Sequence, residues 1–291
     1  MHTTIKLFSI FGILTLFVAG ASAVSPQQGD LVPRNGAGDL LVAPTRIVFA
    51  GPKRTAELNL LNIGEKAALY RISLIHQRMT EDGKLVDIES PNSSDKFADD
   101  LVRFTPRQVL LEPHVAQIVR IQLRLPADLE TGEYRSHLLF RAVSAPAADD
   151  KAPSAAQPPK GLTVQITPIY GVSIPVIVRH GQTTATTSFA ETHLAAAPSG
   201  EPILVGRLVR SGNASVYGDL VVEFAEKGRP YRVVSRANGL AIYTPNAVRN
   251  FAMLLSGDKT LRFQHGTVRT TYRQPETDGG QTIAKSEIVL P

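Results

Sequence analysis

The sequence predicts an all-β protein built as two β-sandwich domains. Three observations carry that reading. Short runs of alternating apolar and polar residues recur at regular spacing, separated by Gly, Pro, Asn and Asp turn chemistry. No stretch makes a convincing helix by its apolar period. The chain has 291 residues, 43% of them hydrophobic, enough for about two domains that each bury a core.

The first element lies outside that fold. Lys6 supplies a positive start, Leu7 to Ala19 is an apolar run, and Ala21-Ser22-Ala23 is a small-x-small cleavage site. Residues 1–23 therefore read as a secretory signal peptide. Their apolar run is shorter than the roughly 20 residues that a membrane span needs, and no later segment comes close. The expectation is export with no membrane span. Residues 24–38 are rich in Pro, Gly and polar groups and read as a flexible tail.

Residues 39–180 read as the first sandwich. Leu40 to Phe49 is a strand broken at Pro44. Ala56, Leu58 and Leu60 alternate against Glu57 and Asn59, and Tyr70, Ile72 and Leu74 against Arg71 and Ser73. Glu81-Asp-Gly-Lys84 is a hairpin turn, and Glu89 to Asp100 is a polar loop. Phe104 to Pro113 reads as a short strand pair around prolines. Val115, Val119, Ile121, Leu123 and Leu125 are expected to share one face, before a strand through Tyr134, Leu138, Phe140 and Ala142.

A loop at residues 144–160, rich in Ala, Pro, Asp and Lys, reads as mobile. It leads into the most unusual stretch of the chain, residues 161–179. Leu162, Val164, Ile166, Pro168, Tyr170, Val172, Ile174, Val176 and Val178 all share one parity, opposite Thr163, Gln165, Thr167, Gly171 and Ser173. At roughly 3.3 Å per residue, Leu162 to Val178 alone would be about 55 Å long, far beyond a usual strand of about 5–6 residues. Pro168 and Pro175 cannot donate ladder hydrogen bonds and belong at edges, strand starts or bulges. A long apolar edge is a template for another chain, and soluble proteins normally blunt such edges. Two shorter core strands broken near Pro168 would give the same pattern.

Residues 181–291 read as a second, smaller sandwich. Ile203 to Val209 is one of its strands, and Leu220 to Phe224 pairs with Tyr231 to Val234 across Glu226-Lys-Gly-Arg-Pro. Leu240 to Tyr243, Phe251 to Leu255, Leu261 to Phe263, Val268 to Tyr272 and Ile288 to Leu290 complete it.

The chemistry the sequence lacks is as informative. With no Cys there are no disulfides, thiol nucleophiles or thiolate metal sites. The seven His show no metal-ligand spacing, and Gly171-Val-Ser173-Ile-Pro175 fails as a nucleophile elbow because Pro replaces the last Gly and no helix follows. The net charge of +5 is scattered among acids without aromatic interleaving, so nucleic acid is not an expected partner. The absence of Trp argues against a sugar-stacking platform. The expectation is no enzyme, no cofactor and no metal.

Several motifs in order resemble the PapD-like family of periplasmic pilus and fimbrial assembly chaperones. They are Val42-Ala-Pro-Thr-Arg46-Ile-Val-Phe49, Leu58-Asn-Leu-Leu-Asn62, Val102-Arg-Phe-Thr-Pro106 with Leu111-Glu-Pro113, Ala116-Gln-Ile-Val-Arg120, and Gly132-Glu-Tyr-Arg-Ser-His-Leu138, followed by the long alternating strand. The match spans about Leu40 to Arg179. The resemblance implies two immunoglobulin-like domains at an angle, in the periplasm. It implies pilus or fimbrial subunits as partners, with an outer-membrane usher downstream. The last strand of the first domain would be lent to the subunit, with Leu162, Val164, Ile166 and Tyr170 in the donated stretch. It also implies that Arg46 holds the subunit's C-terminal carboxylate, with Arg179 as the second cation. This chain departs from the family pattern in three places. Pro175 stands where the family's Lys is usual, Arg135 falls at its acidic position when Ser136 is matched, and the second-domain Cys pair is missing. The other reading is a secreted structural or adhesive sandwich protein of a surface assembly.

Overall fold

A computed structural model of the protein describes residues 39–143, 170–255 and 263–291. The signal and tail expected at 1–38, the loop at 144–160, and Leu162, Val164 and Ile166 lie outside these residues. Among the described residues the secondary structure is strands and two 3-10 turns.

The first sandwich uses β1 (Leu40–Ala43), β2 (Ile47–Phe49), β3 (Thr55–Asn62), β4 (Ala68–Ile75), β5 (Gln77–Met79), β6 (Leu85–Asp87), β7 (Val102–Thr105), β8 (Gln108–Leu111), β9 (Ala116–Leu123), β10 (Gly132–Val143) and β11 (Gly171–His180). One sheet runs β1-β3-β9-β7 and the other β2-β11-β10-β4-β8. Alternation decides which side chains meet between them: Leu58 and Leu60, Tyr70 and Ile72, Val119 and Ile121, Leu138 and Phe140 are all buried in one core. The break expected at Pro44 is a change of sheet. Residues before it pair with β3, and those after it run parallel to β11. Proline has no N–H to lose from either ladder.

Two expectations fail here. β7 and β8 are not a pair, because they join opposite sheets on either side of Pro106. Val102, Phe104, Val109 and Leu111 still reach the same core, so the apolar pattern was right and the pairing wrong. Val115 does not share the face of Val119. It lies in the turn before β9 and is 47% exposed.

The second sandwich uses β12 (Ala185–Ala196), β13 (Pro202–Gly212), β14 (Val216–Ala225), β15 (Arg232–Ile242), β16 (Val248–Leu254), β17 (Gly266–Arg273) and β18 (Thr282–Leu290), in sheets β12-β13-β16 and β15-β14-β17-β18. Its core holds Leu204, Leu220, Val222, Phe224, Phe251, Val268 and Tyr272. Leu240 to Ile242 belongs to β15 and is not a strand of its own.

The two sandwiches meet through a third apolar cluster of Met79, Ile177, Ala241 and Tyr243, flanked by Val48 and Tyr217. The β5–β6 hairpin extends this contact. Its tip crosses to β16, where the Asn250 amide donates to the Glu81 carbonyl at 2.8 Å and Asn246 Nδ2 to the Met79 carbonyl at 2.7 Å. Gly83 makes the approach possible: its φ is +81°, and an added Cβ would lie 1.4 Å from Arg249 Nη1.

Candidate partner-binding cleft

Three surfaces of β11 do different work. Ile174, Val176 and Val178 point into the first core, as their parity predicted. Ile177 points the other way, into the cluster between the sandwiches. The third surface is the backbone edge. β10 pairs with all of β11, whereas β2 covers only Val176 to Val178 on the other side. From Gly171 to Pro175 that side has no strand partner among the described residues. β11 has 10 described residues from Gly171, and residues 161–169 of the expected stretch lie outside the described residues. Tyr170, just ahead of it, is 51% exposed and accepts a hydrogen bond at its carbonyl from the Ala142 amide.

Below the free edge, odd-numbered side chains of β10 face the second sandwich. Glu133 has a side chain with no solvent exposure, yet all its needs are met. Arg179 Nε donates to it at 3.0 Å, the Ser215 amide at 2.9 Å, Ser215 Oγ at 2.8 Å and Thr244 Oγ1 at 3.3 Å. Arg179 then closes the network by donating to the Ser215 carbonyl at 2.7 Å. Arg210 holds the Ser215 loop from behind through the Gly212 and Ala214 carbonyls. Two residues along β10, Arg135 donates to the carbonyls of Gln77 and Thr244 and stacks 4.3 Å over the Tyr243 ring. His137, next on this face, is fully buried, and among the described residues neither ring nitrogen has a hydrogen-bond partner. Burial, with Arg135 close by, lowers its pKa to about 3, so it is neutral in the fold.

Arg46 is the exception in this interface. It sits between β1 and β2, directly after the change of sheet, and its guanidinium lies 4.5 Å over the Tyr217 ring. No carboxylate or carbonyl among the described residues accepts a hydrogen bond from it, and its Nε is sealed from solvent. Burial pushes its pKa below the usual value, and the charge of Arg179 acts in the same direction. An arginine stays protonated under such pressure, so the site keeps a cation with no hydrogen-bonded acceptor among the described residues. Arg46 and Arg179 line one cleft of about 300 Å3, together with Ser215, Tyr217, Gln274 and Asp278. Arg46 also borders a broader groove over β3, β7 and β9.

The chain is similar to solved chaperone structures. The CupB2 chaperone of Pseudomonas aeruginosa is 16% identical with a TM-score of 0.43, over 86% of this chain and 100% of that one. The class 5 fimbriae chaperone CfaA is 11% identical with a TM-score of 0.39, over 87% of this chain and 99% of that one. A structure of the Salmonella enterica SafA pilin in complex with the SafB chaperone matches at 16% identity and a TM-score of 0.40, over 87% of this chain and 97% of that one. No protein-family model and no curated protein sequence matches the chain.

Of the residues singled out from sequence, Arg46 and Arg179 do share a cleft, but their situations differ. Arg179 is committed to Glu133, and among the described residues Arg46 has no such partner. Pro175 is buried opposite His137 and adds no cation. Matching Ser136 to the family pattern drew attention to Arg135 as the missing acid. The structure instead puts Glu133, two residues earlier, in an ion pair with Arg179 on the neighbouring strand, and Ser215 and Thr244 donate to it from across the interface. The signal was available, since Glu133, Arg135 and His137 share the parity opposite to the core residues Leu138 and Phe140. Ser215 and Tyr217 carried no readable signal, because their roles depend on a loop from the second sandwich.

Proposed function

We propose that the protein is a periplasmic chaperone for pilus or fimbrial subunits. It binds and stabilises a subunit by lending an edge β-strand, before assembly at an outer-membrane usher. The observation that carries this reading is the free backbone edge of β11 beside a guanidinium that has no hydrogen-bonded acceptor among the described residues. An unpaired edge offers main-chain hydrogen bonds to an incoming strand, the mode used by chaperone–pilin complexes among others. An always-charged fork of donors suits a terminal carboxylate and fixes where that strand stops. Register matters because a one-residue slip would turn every side chain of the incoming strand to the wrong face. On this reading Leu162, Val164 and Ile166 enter the subunit's groove, and burying each is worth about 1.5–3 kcal/mol as an upper bound.

The test is capture of the bound partner from periplasm by parent, Arg46→Ala and Arg46→Lys chains. Loss with Ala and partial recovery with Lys, at unchanged melting temperature, is the expected pattern. Replacing Leu162, Val164 and Ile166 together with Ser should abolish capture and leave the described fold intact. Capture by Arg46→Ala at the parent level would remove Arg46 from the reading. Co-purification with mature surface fibres would replace the chaperone with a structural subunit.

A further inference from the structure

The outer face of the β2-β11-β10-β4-β8 sheet can be followed row by row from its register. Its lower rows, with Glu133, Arg135 and His137, are covered by the second sandwich. Ser173, next to Leu139, is bonded at 3.4 Å to Gln77 of the β5–β6 hairpin. The row above is open. Arg141 of β10 lies directly opposite Arg71 of β4 on one side and Gly171 of β11 on the other. Both arginines are exposed. Among the described residues neither makes an ion pair. Beyond them is an apolar row of Val143, Leu69 and Leu110, the last 60% exposed.

Like charges directly opposite one another weaken a ladder. Nothing in the fold requires this pair, and the neighbouring outward positions Ser73 and Gln108 are neutral. Gly171 has no side chain to screen Arg141 from the free edge of β11. We infer that Arg71 and Arg141 form a receptor for one acidic side chain on the strand that adds to that edge. This rests on the strand-addition reading and deepens it by naming a chemical requirement on the partner. An added strand would lie about 9–10 Å from β10, a span that a Glu and an Arg side chain cover between them across Gly171. Arg71, one strand further on, strengthens the field and repels the Arg141 guanidinium toward the edge. The receptor reads register at a second point, far along the strand from Arg46.

The experiment uses the mature chain and strand-length synthetic peptides that alternate Val and Thr, with a free C-terminal carboxylate. One Thr position at a time is changed to Glu or to Gln, and binding is read by fluorescence anisotropy. At one position the Glu peptide should bind about three- to tenfold tighter than the Gln peptide, an advantage that shrinks with added salt. Arg141→Gln should abolish the difference, and Arg71→Gln should reduce it. Arg141→Glu should keep the parent melting temperature and reverse the preference toward a Lys peptide at the same position. Equal binding of Glu and Gln peptides at every position, with a C-terminally amidated peptide still weakened, would overturn this inference and leave strand addition standing. A preference seen only in an Asp149→Asn, Asp150→Asn chain would mean that the pair serves an acid of the same chain, which also overturns it. No binding by any peptide would overturn both readings.

Discussion

Glu133 and Arg46 both face the second sandwich, and the protein treats their charges in opposite ways. The Glu133 carboxylate is sealed off and meets four donors. The Arg46 guanidinium meets an aromatic ring and no acceptor among the described residues. A half-buried charge without a hydrogen-bonded acceptor keeps part of its desolvation cost uncompensated. The closed network joins the two sandwiches, whereas on the proposed reading the open one serves a third party.

The sharpest way to break this contrast is to open the closed side. Glu133→Gln leaves Arg179 beside a neutral amide in a buried setting, and should cost about 3–5 kcal/mol in urea unfolding. A loss below about 1 kcal/mol would mean that the network contributes little to holding the fold.

His137 tests the same interface through pH. Its pKa is about 3 in the fold and 6.5 as a free side chain, so the folded form excludes a proton that the unfolded chain accepts. Its contribution is therefore fully present above pH 6.5 and is lost progressively as pH falls toward 3. At pH 4.5 the loss should be about 2–3 kcal/mol relative to neutral pH. His137→Phe should remove this part of the acid sensitivity, and unfolding curves of parent and variant between neutral pH and pH 4.5 measure it. Parallel curves would show that His137 binds protons equally well in both states.

The smallest effect belongs to the open side. Arg46→Ala removes a cation–π contact and also an unpartnered, half-buried charge. These oppose each other, and stability should change by no more than about 1 kcal/mol in the same urea assay. A larger loss would make Arg46 a structural residue.

Much of this architecture was legible because strand parity is local. Leu58, Ile72, Val119 and Phe140 announce their faces within a few residues. Pro44 marks a change of sheet because proline cannot serve a ladder. What was not legible depended on partners far away in sequence. Ile177 sits at an odd position in an even-patterned strand, and only the second sandwich explains it. β12 has Thr, Ser and Ala at many positions and no fully buried residue, so its alternation was too faint to separate from a polar junction. β7 and β8 carry correct inward patterns, but pattern alone does not say which sheet a strand joins. At the cleft, Arg46 and Arg179 were visible as types in a motif. Their difference was not, because it is set by Glu133, Ser215 and Tyr217 arriving from two other strands and a loop.

The β5–β6 hairpin has a consequence for how the molecule comes apart. It is covalently part of the first sandwich but hydrogen-bonded to β16 of the second, and Met79, next to its turn, shares a cluster with Tyr243. Neither sandwich can lose its fold without stripping apolar surface and main-chain bonds from the other. Two cores joined in this way should melt as one cooperative unit, and calorimetry would show a single heat-capacity peak whose van't Hoff and calorimetric enthalpies agree, whereas two separate peaks would show that the hairpin does not couple them.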